Sequence, residues 1–502
     1  MTPDLIIGLD CSTTAAKAVA WDLRGHAVAS GRQTYELSSP QQGWGEQEPA
    51  DWWHAAIKAL SEVCQQIDVN RVAALSITHQ RETFACLDEN GDVIRPAMLW
   101  LDARASAEVE AFGNDSVHER TGKPPNTATS WYKLLWLKKH EPQVLTKTRW
   151  VVDVQAYLIE RLTGHWRTSY GSVDPLGLLN LKTFSPDDDL LAQAGLHSGQ
   201  LPQIFPPGQC LGALRKDAAN ATGLTAGLPI IAGTGDGQSA GLGVNITAVG
   251  SAYLNLGTGI VSGTFSQEYQ RGRAFRTMTG ALPGSYTPET FIGGGTFNVQ
   301  WFIEKFADAR GGNAAPEAAL EQAAALIAEG ADGLLHLPCL SGALSPYWDA
   351  GARGVYFGLS AKHGKGHLYR AMLEGLCMEQ RLATAGAELE LGARIERVRI
   401  MGGGSRSPLW GQMLADILKL PVEVSRETET TCLGAGMMAA SGAGLHKDMK
   451  TAAAEMSGTS KIFVPNEQKS LRYDQFFAVY RDLYPRLKDS FVQLARTAKG
   501  PH

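Results

Sequence analysis

Two short turns, each rich in glycine or hydroxyl residues and each set between apolar strands, constrain this chain more than any other feature. The first follows Leu5 to Leu9, turns through Asp10-Cys11-Ser12-Thr13-Thr14, and returns along Ala18-Val19-Ala20-Trp21. The second lies mid-chain, with Tyr253 to Leu256, a turn at Gly257-Thr258-Gly259, and a return along Ile260-Val261-Ser262. Turns of small residues cluster backbone N–H groups and so suit an anion such as phosphate. Two unrelated hairpins would read the same way, whereas a diverged internal duplication would set two such loops on facing lobes. A length of 502 residues exceeds what one hydrophobic core usually organises and favours two lobes.

After the first turn the chain passes Asp22 to Gly25 and enters Ala27-Val28-Ala29, predicting three successive strands. A related pattern follows: Ala74 to Ile77, Phe84 to Leu87, a turn at Asp88 to Gly91, then Val93-Ile94. Trp52, Ala55, Ala56 and Ala59 fall at helical spacing within Asp51 to Cys64. Helical patterns return from Tyr369 to Ala387 and from Pro408 to Leu420. The tail from Ser470 to His502 reads as a terminal helix with a frayed end. The lobe boundary is expected near Val244 to Gly250, dividing residues 1–246 from residues 247–502.

A net charge of -5 argues against a dominant nucleic-acid or anionic-membrane partner. The seven cysteines are scattered and lack CxxC spacing, which suits reduced thiols in a cytoplasmic protein. No basic, apolar leader opens the chain, and no apolar run approaches membrane-helix length. The 55 glycines exceed the average share of roughly 7% and gather at a few points, where backbone turns sharply or meets a ligand.

Three glycine-containing segments carry chemistry. In Gly8 to Lys17, Asp10 at a strand end can hold Mg²⁺, while Ser12, Thr13 and Thr14 add donors and Lys17 can reach a phosphate. In Pro229 to Gly241 an apolar strand runs into a turn that presents Asp236, placed to take a proton from an attacking hydroxyl, with Gln238 to orient the substrate. Gly235 to Ala240 also matches a G-x-G-x-x-A dinucleotide turn. That alternative needs an acid about 20 residues on, and none stands between Ser239 and Gln267. In Val398 to Trp410 a strand ends in three glycines, and Ser407-Pro408 caps the next helix. Backbone there can approach a nucleotide, the helix dipole favouring its charge. There is no G-x-x-x-x-G-K-[ST] loop.

In this order and spacing the three segments resemble the FGGY family of carbohydrate kinases, over nearly the whole chain. Leu340 to Asp349, Ala352 to Leu359 and Thr430 to Ala435 look like the family's second-half signature. The resemblance implies an α/β, two-lobed, duplicated ribonuclease-H-like (actin-like ATPase) fold, with ATP and sugar meeting in the interlobe cleft. It further implies ATP and Mg²⁺ as cofactors, Asp10 at the metal, and Asp236 as the base. Ser12, Thr13, Thr14, Lys17, Gly257 and Thr258 would lie by the ATP phosphates, and Gly403, Gly404 and Ser407 by the nucleotide. A small sugar or polyol is the expected partner, with a homodimer as one candidate assembly.

The acceptor reads two ways. Gly402 to Trp410 and Lys133 to Leu137 look most like xylulokinases, favouring a ketopentose such as D-xylulose. Gln80-Arg81-Glu82-Thr83 and Pro346 to Asp349 resemble glycerol kinases, which points to a short polyol. Arg81 can donate to, and Glu82 accept from, vicinal hydroxyls, as an alternative to a plain salt bridge. Trp100 and Asp102 would complete that pocket. A nucleotide-dependent switch on the same fold is the alternative from another class.

Overall fold

The computed structural model describes residues 3–306 and 316–498. Leu5–Cys11 (β1) is buried along nearly its whole length and lies inside a six-stranded sheet. Ala15–Asp22 (β2) and Ala27–Thr34 (β3) follow it antiparallel, with Leu9 opposite Ala18 and Ala20 opposite Ala29. Val72–His79 (β4) returns on the other side of β1 and parallel to it. Cys210–Ala213 (β5) and Pro229–Ile231 (β6) complete the order β5-β6-β4-β1-β2-β3. The helices Pro49–Cys64 (α1) and Val154–Thr163 (α2) share a core with Ile7 and Leu9 on one face of this sheet. Asp236–Gly243 (α3) leaves from the end of β6.

The second half repeats the plan. Ser251–Leu256 (β7) and Ile260–Thr264 (β8) form the second hairpin, followed by Arg276–Thr279 (β9) and Tyr286–Ile292 (β10). Arg397–Met401 (β11) runs parallel to β7, and Val422–Ser425 (β12) and Thr459–Phe463 (β13) complete the order β9-β10-β8-β7-β11-β12-β13. The helices are Thr296–Phe306 (α4), Pro316–Ala325 (α5), Lys365–Leu391 (α6), Pro408–Leu418 (α7), Thr430–Gly442 (α8) and Glu467–Ala498 (α9). In the first sheet an antiparallel three-strand meander is followed, after a helix, by the parallel strands β4 and β6 and the small-residue helix α3. In the second, four antiparallel strands (β9-β10-β8-β7) precede the parallel strands β11 and β12 and the small-residue helix α8. This is the duplicated actin-like arrangement expected from the sequence.

Two expectations are corrected. Of the pattern read over residues 74–94, the turn at Asp88 to Gly91 is formed, with Leu87 bridged to Val93, but β4 joins the first sheet, while Ala85–Leu87 pairs with Trp150–Val152 in a separate ribbon. The reason is that β4 is buried on both faces as a parallel strand, so the chain must leave the sheet after His79. The helix from Pro408 stops at Leu418, because Lys419 turns left-handed at φ 61°. The terminal helix begins at Glu467, and the frayed end at residues 499–502 lies outside the described residues. No helix among the described residues is long and apolar enough to cross a membrane.

The lobes are joined through α3 and α8, which touch backbone to backbone. A Cβ on Gly434 would lie 1.9 Å from Ser239 O, and one on Gly243 would lie 2.0 Å from Thr430 O. Ser239 Oγ donates to Thr431 O at 2.9 Å across the same seam. Met437 and Met438 of α8 pack against Ile6, Val19 and Trp21 of the first sheet, while Ala240 of α3 packs with Tyr253 and Met401 of the second. Each lobe's small-residue helix therefore serves the other lobe's core. Gly434→Ala is expected to force the helices apart and cost about 1–3 kcal/mol, the range for overpacking, read as a lower urea midpoint.

Candidate active site

The parallel strands of both sheets end on one side of the molecule, and their following turns converge on the cleft. Arg81 and Glu82 follow β4, Asp236 opens α3 after β6, and Gly257 and Thr258 follow β7. These residues line a cavity of about 430 Å³, with Trp100, Asn126 and Ala128 from the first lobe and Arg276, Phe291 and Trp348 from the second.

Asp236 is half exposed to this cavity. Its Oδ1 lies 2.8 Å from Arg81 Nε and accepts the Gly237 N–H at 2.7 Å. Among the described residues Oδ2 accepts no hydrogen bond. The flanking glycines have a steric purpose: a Cβ on Gly235 would lie 2.4 Å from Arg81 Cγ, and one on Gly237 would lie 2.7 Å from Arg81 Nη2. The motif that resembled a dinucleotide turn thus makes room for a guanidinium.

Arg81 also crosses to the second lobe. Its Nη1 donates to Glu289 Oε1 at 2.8 Å and Oε2 at 2.9 Å, and to Gln238 Oε1 at 3.4 Å. Glu289 is wholly buried and accepts Tyr253 Oη–H at 2.6 Å and Arg276 Nε–H at 3.1 Å. Burial alone would raise its pKa, but Arg81, Arg276 and the tyrosine hydroxyl outweigh it and hold Glu289 down at about 2. Arg276 Nη1 donates back to Glu82 Oε1 at 2.8 Å. Glu82 sits at φ 52°, a conformation costing a non-glycine residue about 1–3 kcal/mol. Ser130 Oγ holds the Glu82 carbonyl at 2.9 Å. Arg81, Glu289, Arg276 and Glu82 thus form a chain of alternating charge between the lobes.

The first turn borders the same cleft. Ser12 Oγ closes its own loop by donating to Ala15 O at 2.9 Å. Thr13 Oγ1 accepts Trp100 Nε1–H at 2.9 Å, so this turn and the cavity wall are tied together. Thr14 is exposed, and Lys17 Nζ pairs at 2.5 Å with Glu429, just before α8. Asp10 Oδ1 is sealed from solvent without a hydrogen-bond partner among the described residues. Burial and the nearby Asp236 and Glu429 push the Asp10 carboxyl well above the ordinary range, and Lys17 offsets only part of this. No group of three or more His, Cys, Asp or Glu among the described residues is placed to hold a metal by itself, so a divalent cation at Asp10 would have to take its other ligands from water and phosphate.

A second cavity, of about 610 Å³, includes Gly403, Gly404, Ser407, Thr296, Glu321 and Tyr369 in its walls. Ser407 caps α7 by accepting Trp410 N–H at 3.1 Å and also donates to Glu321. Gly404 is required by packing, since a Cβ there would lie 2.5 Å from the Trp410 ring. Gly402, at φ 83°, turns the chain out of β11. The Gly257 carbonyl accepts Thr296 N–H at 2.8 Å, which fixes that loop to the start of α4.

Of the expected residues, Asp10, Ser12, Thr13, Thr14 and Lys17 line neither cavity, although Thr13 bonds the wall residue Trp100, and Asp102 and Gln238 line neither as well. Asp102 is fully buried, bound by Arg104 and by Gly45 N–H at 2.7 Å, and does not line the cavity. Gln238 is buried behind Asp236, donating to Gly171 O at 3.2 Å. Sequence reasoning missed Glu289, Arg276 and Tyr253, which have no local signature. It also passed over Gly293-Gly294-Gly295 before α4, a glycine run visible in the sequence; a Cβ on Gly295 would lie 2.5 Å from Gly257 O. Ser407→Ala is expected to lose about 0.5–2 kcal/mol of stability, as for other helix caps, and to weaken nucleotide binding. Urea unfolding and ATP titration read the two effects separately.

Comparison with known proteins agrees with this geometry. Residues 5–243 match the N-terminal domain model, and residues 252–443 the C-terminal domain model, of the FGGY family of carbohydrate kinases. A xylulose kinase of Bacillus subtilis (strain 168) is 28% identical over 495 residues, covering 96% of this chain and 97% of the relative. The crystal structure of a gluconate kinase from Lactobacillus acidophilus superposes with a TM-score of 0.91 at 27% identity, covering 98% of this chain and 99% of that one. A ligand-bound xylulose kinase from the same species gives a TM-score of 0.91 at 26% identity, with coverage of 98% and 99%.

Proposed function

The chain belongs to the FGGY family of carbohydrate kinases and is an ATP-dependent sugar phosphotransferase, and on that premise we propose that its acceptor is an uncharged short sugar, a ketopentose such as D-xylulose, deprotonated by Asp236. A short polyol such as glycerol is the second reading, favoured by Arg81 and Glu82 at the cavity wall.

The observation that carries the neutral acceptor is the commitment of the cavity's cations. Arg81 already faces Asp236 and Glu289, and Arg276 already faces Glu82 and Glu289. An acceptor carboxylate would enter beside Glu82 and Asp236 and, among the described residues of the wall, find no guanidinium without a carboxylate partner, a costly arrangement in a partly desolvated site. That weighs against gluconate, the substrate named for one structural relative. A neutral sugar meets hydrogen-bonding side chains at Glu82 and Asn126 and aromatic faces at Trp100 and Trp348.

In the reaction Asp236 Oδ2 accepts the proton of the attacking hydroxyl while Oδ1 stays with Arg81 and Gly237. Gly257, Thr258 and the Ser12–Thr14 turn are suited to the phosphates from opposite lobes, with Gly403, Gly404 and Ser407 beside the rest of the nucleotide. Asp10 would hold Mg²⁺, which when bound neutralises charge on the transferring phosphates. Closing the lobes excludes water as a competing acceptor.

Asp236→Asn is expected to lower kcat by about 10²–10⁴-fold, the usual contribution of a general base, while ATP binding by titration is retained. Near-normal turnover would remove Asp236 from the role. In an ADP-release panel, D-xylulose, D-ribulose, glycerol and erythritol are compared with D-gluconate. The neutral acceptor is supported if one of the first four has the highest kcat/KM, and is overturned if gluconate does.

A further inference from the structure

We infer that Glu289, supplied by the C-terminal lobe, is a positioning residue for the base: it holds the Arg81 guanidinium so that Asp236 keeps one carboxylate oxygen clear for the acceptor hydroxyl. The inference rests on Asp236 being the base.

Glu289 is placed by construction. It lies in β10 opposite Arg276 of β9 on one side and Gly263 of β8 on the other. A Cβ on Gly263 would lie 2.4 Å from the Tyr253 ring, so the glycine lets that ring lean over and its hydroxyl reach Glu289 Oε1. Both carboxylate oxygens are thereby engaged, Oε1 by Tyr253 and Arg81, Oε2 by Arg81 and Arg276. A carboxylate held this firmly with no exposure anchors the guanidinium beside it.

Arg81 has a choice of acids. Its hydrogen bonds go to Glu289 and Gln238, and it meets Asp236 as an ion pair of Nε with Oδ1 at 2.8 Å. A guanidinium and a carboxylate left to themselves prefer the bidentate fork, which would occupy both oxygens of Asp236. A base with both oxygens bound has lost its proton-accepting site. Glu289 prevents this by drawing Nη1 towards the second lobe. Because the anchor lies in one lobe and the base in the other, the base is set for reaction only while the lobes are in this contact.

The test is a pair of substitutions in two backgrounds, using the acceptor with the highest kcat/KM in the panel above, or water as acceptor if none turns over. Glu289→Gln keeps shape but removes the charge, and is expected to lower kcat by about 10–100-fold, the scale of a misplaced catalytic group, with the KM for ATP unchanged. Arg81→Lys offers one donor point and cannot make a fork. In that background Glu289→Gln is expected to cost less than about twofold more, the non-additivity of residues acting as a unit. Equal losses in both backgrounds would show a merely structural Glu289 and overturn the inference, as would unchanged kcat in the single variant. If Glu289→Gln does not fold, Tyr253→Phe loosens the same carboxylate while keeping its charge. It should lower kcat by about threefold or more, within the range of one lost hydrogen bond to a charged group, and unchanged kcat would overturn the inference. An active Asp236→Ala variant would instead remove the base, a separate failure.

Discussion

Carbonyl oxygens of each lobe rest where side chains of the other would otherwise stand, and this contact sets everything else in the molecule. Gly434 against Ser239 O, Gly243 against Thr430 O and Gly8 against Cys432 O leave no room for a methyl group. The gain is a joint in which α3 and α8 each complete the opposite lobe's core. The residue that opens α3 is Asp236, and Thr430 opens α8 just after Glu429, the partner of Lys17. The joint thus fixes Asp236, the turn between β1 and β2 and the second lobe relative to one another.

On that frame the cleft is polarised by paired charges. Arg81 and Glu82 from one lobe meet Glu289 and Arg276 from the other, nearly all of them buried. Such pairs contribute little net stability when desolvation is counted, but removing one member is expensive. Their effect here is geometric: they bring the lobes into register and commit the cations. Asp10 Oδ1, by contrast, has no hydrogen-bond partner among the described residues, and the acids Asp236 and Glu429 near it are only partly offset by Lys17. The cleft thus combines a region whose charges are paired with one, at Asp10, where a buried carboxylate oxygen is not.

Local chemistry was legible in the sequence, and long-range charge was not. Ser407-Pro408 announces a helix start, and the structure caps α7 there. Asp236 in its glycine turn was readable as a carboxylate presented at a strand end, although the glycines proved to accommodate Arg81. The duplication was legible because each hairpin carries its own turn chemistry. Glu289 was not, since its partner Arg81 lies 208 residues away and nothing in Tyr286–Ile292 marks an inward acid. Asp102 misled because its turn resembled a pocket wall; Arg104, two residues on, binds its carboxylate and stacks 3.5 Å over Trp44. Parallel pairing was hidden too, because β4 reads locally like the start of a meander.

The central claim is that a neutral acceptor in the cleft between these lobes receives the γ-phosphate, with Asp236 taking its proton. ADP release with ATP alone, compared with ATP plus each neutral sugar or polyol, tests this most directly. At least one neutral acceptor should raise the rate far above the ATP-only level in the native protein and fail to do so in Asp236→Asn. An ATP-only rate that no neutral acceptor increases, or an increase that survives the substitution intact, would contradict the account.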